Sequence, residues 1–283
     1  METNEMVTMK QISAEPFREQ TGSVPACVIR EVTFLRGFVH PNVARLLSVH
    51  DTGMSEYNLI FEYVETDLHS VMNKYRSSGD LMPMSLVTKY FQDLLHGLHA
   101  CHLRQILHRN LMPQNLLIAP DGLKIGGFGM ARQLSTAVAT YTRNVVTLWY
   151  RAPEVLLGQD RYGPAVDMWS SGCILAEMVT LYPLFPGESD IGTIFKIFKL
   201  LGTPTEEIWP GVDELAYWKS TFPKWAPTKL ETVFDLGQQQ ELGEAGIDLI
   251  VELLKLSPNL RMSSTKATTH RFFQQHQKTM SDC

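Results

Sequence analysis

The chain has 283 residues, 44% of them hydrophobic and 19% charged, a balance that supports a packed core and excludes disordered, collagen-like and coiled-coil chains. Its 25 Lys+Arg against 30 Asp+Glu leave a net charge of -5, so there is no electrostatic case for nucleic-acid binding. The most apolar stretch, 172–185, is interrupted by Glu177 and Pro183, so no membrane-spanning helix is expected.

In chain order, the β-branched residues of MVTMKQI at 6–12 predict a strand, and the polar stretch 13–23, with Pro16 and Gly22, a loop. Pro25 sits where a helix would start, and Val28, Val32 and Leu35 then share one helical face before Pro41 and Asn42 break the pattern. Residues 43–49 and 57–64 predict two more strands joined by a turn at Asp51, Thr52 and Gly53. From Asp67 the pattern becomes helical, with a long amphipathic run over 85–104. Two short strands, 115–118 and 123–125, flank the turn Pro120-Asp121-Gly122. Irregular chain at 126–164 precedes helices near 165–181, 190–201 and 241–255. His96, His99 and His102 with Cys101 have a metal-like look. Successive steps of three residues rotate by about 60° each, however, so the three cannot share one metal, and they read as part of a surface-and-core helix. Cys27, Cys101, Cys173 and Cys283 are scattered without a C-x-x-C pair, and 1–10 lacks the apolar core of a secretion signal. Free thiols in a reducing compartment, nucleus or cytoplasm, are expected.

Four segments carry the chemistry: VTMK at 7–10, HRNLMPQN at 108–115, GFG at 127–129 and APE at 152–154. Their order and placement resemble the protein-kinase signature set. PACVIRE at 25–31 is similar to the P-S-T-A-I-R-E helix of cyclin-dependent kinases, and VVTLWYR at 145–151, FPGES at 185–189, LGTP at 201–204, WPGV at 209–212 and FPKW at 222–225 match the same family. The similarity runs from Met6 to Phe273 and is nearest to the cell-division branch. It implies an α+β, protein-kinase-like bilobal fold, with a truncated small β-rich lobe at 1–64 and a large helical lobe at 65–283. Only nine residues precede Lys10, whereas two strands and a turn need roughly 16, so the glycine-rich loop that covers the phosphates is expected to be absent.

The resemblance also implies roles. Lys10 and Glu31 match the ion pair that holds the α- and β-phosphates of ATP. Phe61, Glu62, Tyr63 and Val64 match the hinge whose backbone holds adenine over Leu117. Asn115 matches a magnesium ligand, and ATP and magnesium are the implied cofactors. Arg30, Arg109 and Arg132 match the arginines that grip a phosphorylated threonine, here Thr142. Pro25, Ala26, Cys27, Val28, Ile29 and Arg30 match the cyclin-contact segment, while Val146 and Arg151 match the pocket for the proline after the target residue. Thr147, Glu154, Asp167 and Arg261 also persist; the last three match residues that brace the catalytic loop and the large lobe. Implied partners are a cyclin, a small kinase-associated regulatory subunit and an upstream activating kinase.

Three catalytic positions depart from the family. The catalytic-base aspartate is Asn110, whose amide has no basic lone pair at neutral pH. The lysine that neutralises the γ-phosphate is Met112, and the metal-binding aspartate is Gly127, which offers no side-chain oxygen. Three readings follow: a catalytically impaired, cyclin-dependent-kinase-like pseudokinase that binds cyclin or nucleotide as a regulatory module; a Ser/Thr-Pro kinase with residual activity; or the product of a decaying gene copy with an exposed sheet edge and a marginally stable small lobe.

Overall fold

The computed structural model describes residues 5–13, 24–53, 56–134 and 148–274. In the small lobe, β1 (Val7–Ser13), β2 (Leu46–Asp51) and β3 (Glu56–Glu62) form an antiparallel sheet in the order β1-β3-β2, with α1 (Ala26–Leu35) beside it. β1 pairs only with β3 among the described residues, so its other edge is unpaired there, and Met6 and Met9 are exposed. The Asp51 side chain shapes the predicted turn by accepting from the Gly53 N–H at 2.9 Å, and Gly53 takes the left-handed conformation that glycine tolerates best.

One predicted strand is displaced. Residues 43–49 do not form a single strand, because β2 starts at Leu46. Val43 and Ala44 are wholly buried, and Val43 bridges to Ile125 while the Ala44 N–H donates to the Ile125 carbonyl at 2.9 Å. Their β-branched and small side chains satisfy the junction with the large lobe rather than the small sheet.

The large lobe begins with β4 (Thr66–Asp67), which pairs with β6 (Leu116–Ala119), itself paired with β7 (Gly122–Ile125) around the predicted turn. Asp67 also caps α2 (Leu68–Ser78) by accepting from the Ser70 N–H at 2.9 Å. α3 (Met84–Leu103) buries Val87, Phe91, Leu94, Leu98 and Cys101 along one stripe. The two-residue strands β5 (Ile106–Leu107) and β8 (Arg132–Gln133) pair across the site. After the short α4 (Pro153–Leu156), α5 (Ala165–Thr180) is buried on every side, which makes it the axis of the lobe. α6 (Asp190–Leu201) and α8 (Ser264–Ala267) complete the surface around it with α7 (Leu236–Leu253). α7 starts before the predicted residue 241 because Asp235 and Gln238 form a reciprocal capping box, and the chain kinks at Gly243. The result is an α+β molecule with a small sheet region and a larger helical part. Cys27, Cys101 and Cys173 are free thiols, and no helix among the described residues is long and apolar enough to cross a membrane.

A carboxyl inside α5 is expected to make the large lobe pH-sensitive. Glu177 is buried and accepts a 2.6 Å hydrogen bond from the Tyr150 hydroxyl. Burial pushes its pKa up, against the opposing pull of Tyr150 and Arg76. A raised carboxyl pKa adds stability at low pH that is lost as the pH rises from the ordinary glutamate value of about 4.3 through the folded value. Glu177→Gln keeps an acceptor for Tyr150 and removes the titration. Its melting temperature is therefore expected to gain on wild type between pH 4 and pH 8; parallel pH profiles would contradict this.

Candidate functional site

The site lies where β1, α1 and the chain from β5 to β8 meet. Lys10 on β1 reaches Glu31 on α1, with Nζ at 3.0 Å from Oε1 and 2.7 Å from Oε2. Glu31 is on the inward face of α1 with Val28 and Leu35 and is only 1% exposed, while Lys10 keeps 43% of its side-chain surface. A buried carboxylate needs such a partner, and the lysine retains an open side toward the cleft. α1 in turn rests on the 3-10 turn Phe128–Met130: Arg30 donates to the Gly129 carbonyl at 3.4 Å, and Gly129 lies close to Cys27.

A helix turns by 100° per residue, so the run 25–30 is divided between the inner and outer faces of α1. Pro25 and Val28 are buried, Cys27 and Arg30 half-buried, and only Ala26 and Ile29 are exposed.

Of the residues matched to a hinge, Phe61 is buried and Tyr63 exposed. Glu62 is committed to structure, since its Oε1 accepts from the Arg45 N–H at 2.8 Å and its Oε2 lies 3.4 Å from the buried Lys124 ammonium. Lys124 also holds Asp121, whose carboxylate is thereby part of the β6–β7 turn. The segment after β3 runs directly into β4, and Asp67 of β4 pairs with Leu117 of β6, which sets Leu117 beside the strand that follows 61–64. The Val64 N–H donates to the Thr8 hydroxyl at 3.0 Å.

The loop between β5 and β6 is held from below by Asp167 on α5. Its Oδ2 accepts from the His108 N–H at 3.0 Å and its Oδ1 from the Arg109 N–H at 2.8 Å, with Arg109 in a left-handed conformation. His108 is buried and donates through Nε2 to the Gly126 carbonyl at 2.8 Å, while the Phe128 ring meets it edge-on at 4.8 Å. Burial lowers its pKa, which keeps the ring neutral. Asn110 takes the base position, and its Oδ1 is buried without a hydrogen-bond partner among the described residues. Met112 packs against the hydrophobic core rather than presenting a polar group.

The metal position is closed by a neighbour. The Asn115 Nδ2 donates to the Asn110 carbonyl at 2.8 Å. A Cβ on Gly127 would stand 2.5–3.0 Å from the Asn115 carboxamide atoms, so Asn115 occupies the volume next to a residue that carries no side chain and whose φ is +76°. Magnesium needs octahedral oxygen donors and is usually anchored by one or two carboxylates. The oxygens left are the neutral Asn110 Oδ1 and Asn115 Oδ1, and the carboxylate of Glu31 is paired with Lys10. No group of three or more His, Cys, Asp or Glu side chains among the described residues could hold a metal. The residues present therefore do not supply the carboxylate anchor that magnesium usually takes, so they do not fit that ion.

Arg30 and Arg109 bond neighbouring carbonyls, those of Gly129 and Met130, Arg109 through Nε at 2.8 Å and Nη2 at 2.6 Å, and Arg132 follows two residues later on β8, opposite Leu107. Thr142, Val146 and Thr147 lie outside the described residues. Arg151 pairs with Asp190 at the start of α6 at 3.0 Å. Glu154 and Arg261 form a doubly hydrogen-bonded pair at 2.7 and 2.9 Å with both side chains fully buried.

Sequence reasoning missed His102. Its Nε2 meets Asp167 Oδ2 at 3.0 Å and its Nδ1 meets Ser264 Oγ at 3.1 Å, so it ties α8 to the residue that supports the loop. Its partners lie 65 and 162 residues away, and no local pattern could have indicated them. Residues 1–273 match a family model described as the protein kinase domain.

Proposed function

Because the chain belongs to the protein kinase family, we propose that it acts as a cyclin-dependent-kinase-like pseudokinase, a regulatory module that keeps the family's scaffold and has lost phosphoryl transfer. The carrying observation is the state of the two acidic positions. Asn110 cannot accept a proton, and Gly127 leaves its place to the Asn115 carboxamide. Transfer of a phosphoryl group depends on positioning and charge stabilisation. Loss of the general base alone costs about 10²–10⁴ in rate, and the absent metal donors and the thioether at Met112 act on separate steps.

Support for a binding role comes from what is kept. The Lys10–Glu31 pair is formed, which holds α1 against the site, and Ala26 and Ile29 remain on its outer face for a cyclin. Arg30, Arg109 and Arg132 suit a phosphorylated Thr142 supplied by an upstream kinase, and a small regulatory subunit on the large lobe belongs to the same reading.

The experiment combines the purified chain with a cyclin, Mg-ATP and a Ser-Pro peptide. Expected are co-purification with the cyclin, lost in Ile29→Asp, and no phosphate incorporation above the uncatalysed background. Incorporation by wild type that disappears in Lys10→Ala would establish the residual-kinase reading instead, which the intact ion pair favours. Failure to bind any cyclin would remove the regulatory role.

A further inference from the structure

Thr8 and Lys10 are two residues apart on β1, so the alternation of a strand directs both to the same face of the small sheet. The register sets Thr8 opposite Phe61, the first residue of the hinge segment. From there its hydroxyl accepts the Val64 N–H at 3.0 Å across 56 residues of sequence. The neighbouring backbone groups are used differently: the Glu62 N–H donates to the Arg45 carbonyl at 3.0 Å and the Glu65 N–H to the Ile118 carbonyl at 2.8 Å. Backbone carbonyls thus satisfy those two amides, and a side chain satisfies that of Val64.

We propose that Thr8 is a built-in occupant of the purine end of the cleft, its hydroxyl holding the Val64 N–H that an adenine acceptor nitrogen would otherwise take. The inference rests on the reading of 61–64 as a hinge and concerns what controls entry to it. A half-buried amide needs an acceptor, and Thr8 supplies one permanently. An adenine ring gains that donor only if Thr8 leaves its rotamer, and a β-branched side chain on a strand has little χ1 freedom to do so. The other route is to bond the Thr8 hydroxyl proton instead. That places the ring about 2.8 Å farther out, the length of one O–H hydrogen bond, and away from Phe61 and Leu117. The first route forfeits the hydrogen bond between Thr8 and Val64, and the second forfeits the ring's fit against Phe61 and Leu117; one lost hydrogen bond corresponds to about tenfold in affinity.

The test uses the full chain in buffer containing EDTA, since the site does not suit a divalent cation. ATP displaces trinitrophenyl-ATP from wild type, Thr8→Ala, Thr8→Val, Thr8→Ser and Lys10→Ala, and exchange of the Val64 amide is followed by NMR. Thr8→Ala is expected to bind ATP about tenfold tighter or more than wild type, with Thr8→Ser close to wild type. The Val64 amide is expected to exchange slowly in wild type, faster in Thr8→Ala and Thr8→Val, and slowly again when ATP is added to Thr8→Ala. Thr8→Val keeps the branched shape without the hydroxyl, so its amide exchange reports on the contact even where Thr8→Ala folds poorly. Equal ATP affinity in wild type and Thr8→Ala, or unchanged Val64 exchange, overturns the proposal. Tight wild-type binding that Lys10→Ala abolishes overturns the proposal and leaves the hinge reading standing. If no variant binds although the Val64 amide has been freed, both fall.

Discussion

Arg261→Ala is expected to lower the unfolding free energy by about 3–5 kcal/mol, the usual cost of removing one partner from a buried ion pair. Both side chains of the Glu154–Arg261 pair are at 0% exposure, so no water would replace the lost guanidinium. The Glu154 carboxylate would be stranded, and the carbonyls of Lys255, Leu256 and Ala165, which accept from Arg261 at 3.0, 3.1 and 2.7 Å, would each lose a donor. The guanidinium also lies 5.0 Å from the centre of the Trp169 ring at the heart of α5. Lysine cannot reproduce this arrangement, because a single ammonium lacks the planar fork that serves a carboxylate and several carbonyls together. Urea denaturation of Arg261→Ala and Arg261→Lys measures the loss. The double variant Glu154→Leu/Arg261→Met is expected to recover much of it, since the desolvation cost of both charges disappears with them. A midpoint shift equivalent to less than about 1 kcal/mol for Arg261→Ala would mean that the pair does not hold the lobe.

Asp167→Asn is expected to cost about 2–3 kcal/mol at pH 7, within the range for an unsatisfied buried group in a charged network. The carboxylate is 1% exposed and receives three hydrogen bonds, from the His108 and Arg109 amides and from His102. An asparagine has one oxygen, so its amide nitrogen must face an N–H donor whichever way it turns. Burial alone would push the Asp167 carboxyl up, but the hydrogen bond and charge of His102, with His108 and the Arg109 N–H, hold it below the ordinary aspartate range. A depressed folded-state pKa adds stability that is complete above the unfolded value of about 3.9 and drains away as the pH falls through the folded value. The gap between wild type and Asp167→Asn should therefore be widest near neutrality and narrow below about pH 4. Amide exchange at 108–110 should quicken in the variant. An undiminished gap in acid would assign the loss to packing rather than to the charge.

Local chemistry makes several features legible in the sequence. The hairpin around Pro120, Asp121 and Gly122 and the helices at α3, α5 and α6 follow from turn chemistry and periodicity, which act over a few residues. The Lys10–Glu31 pair implied by the family motifs is formed, and Glu154 and Arg261, two residues matched as braces, meet in a fully buried pair. What the motif at 25–30 leaves open is exposure, because helical rotation divides those six residues between core and solvent.

The residue types alone determined what this chain lacks: an amide at 110 and a hydrogen at 127 cannot act as carboxylates in any fold. They also determined most of the short helices and strands, because those preferences are settled by neighbours in the chain, whereas Val43 and Ala44 went to the junction with the large lobe. Tertiary structure decided the rest. It brought the Thr8 hydroxyl to Val64, set His102 between Asp167 and Ser264, and turned the Asn115 carboxamide into the place beside Gly127. Each of these contacts joins side chains to groups from another element of the fold or another arm of a loop, and their positions are settled only when the sheets and helices pack together and every buried polar group must find a partner.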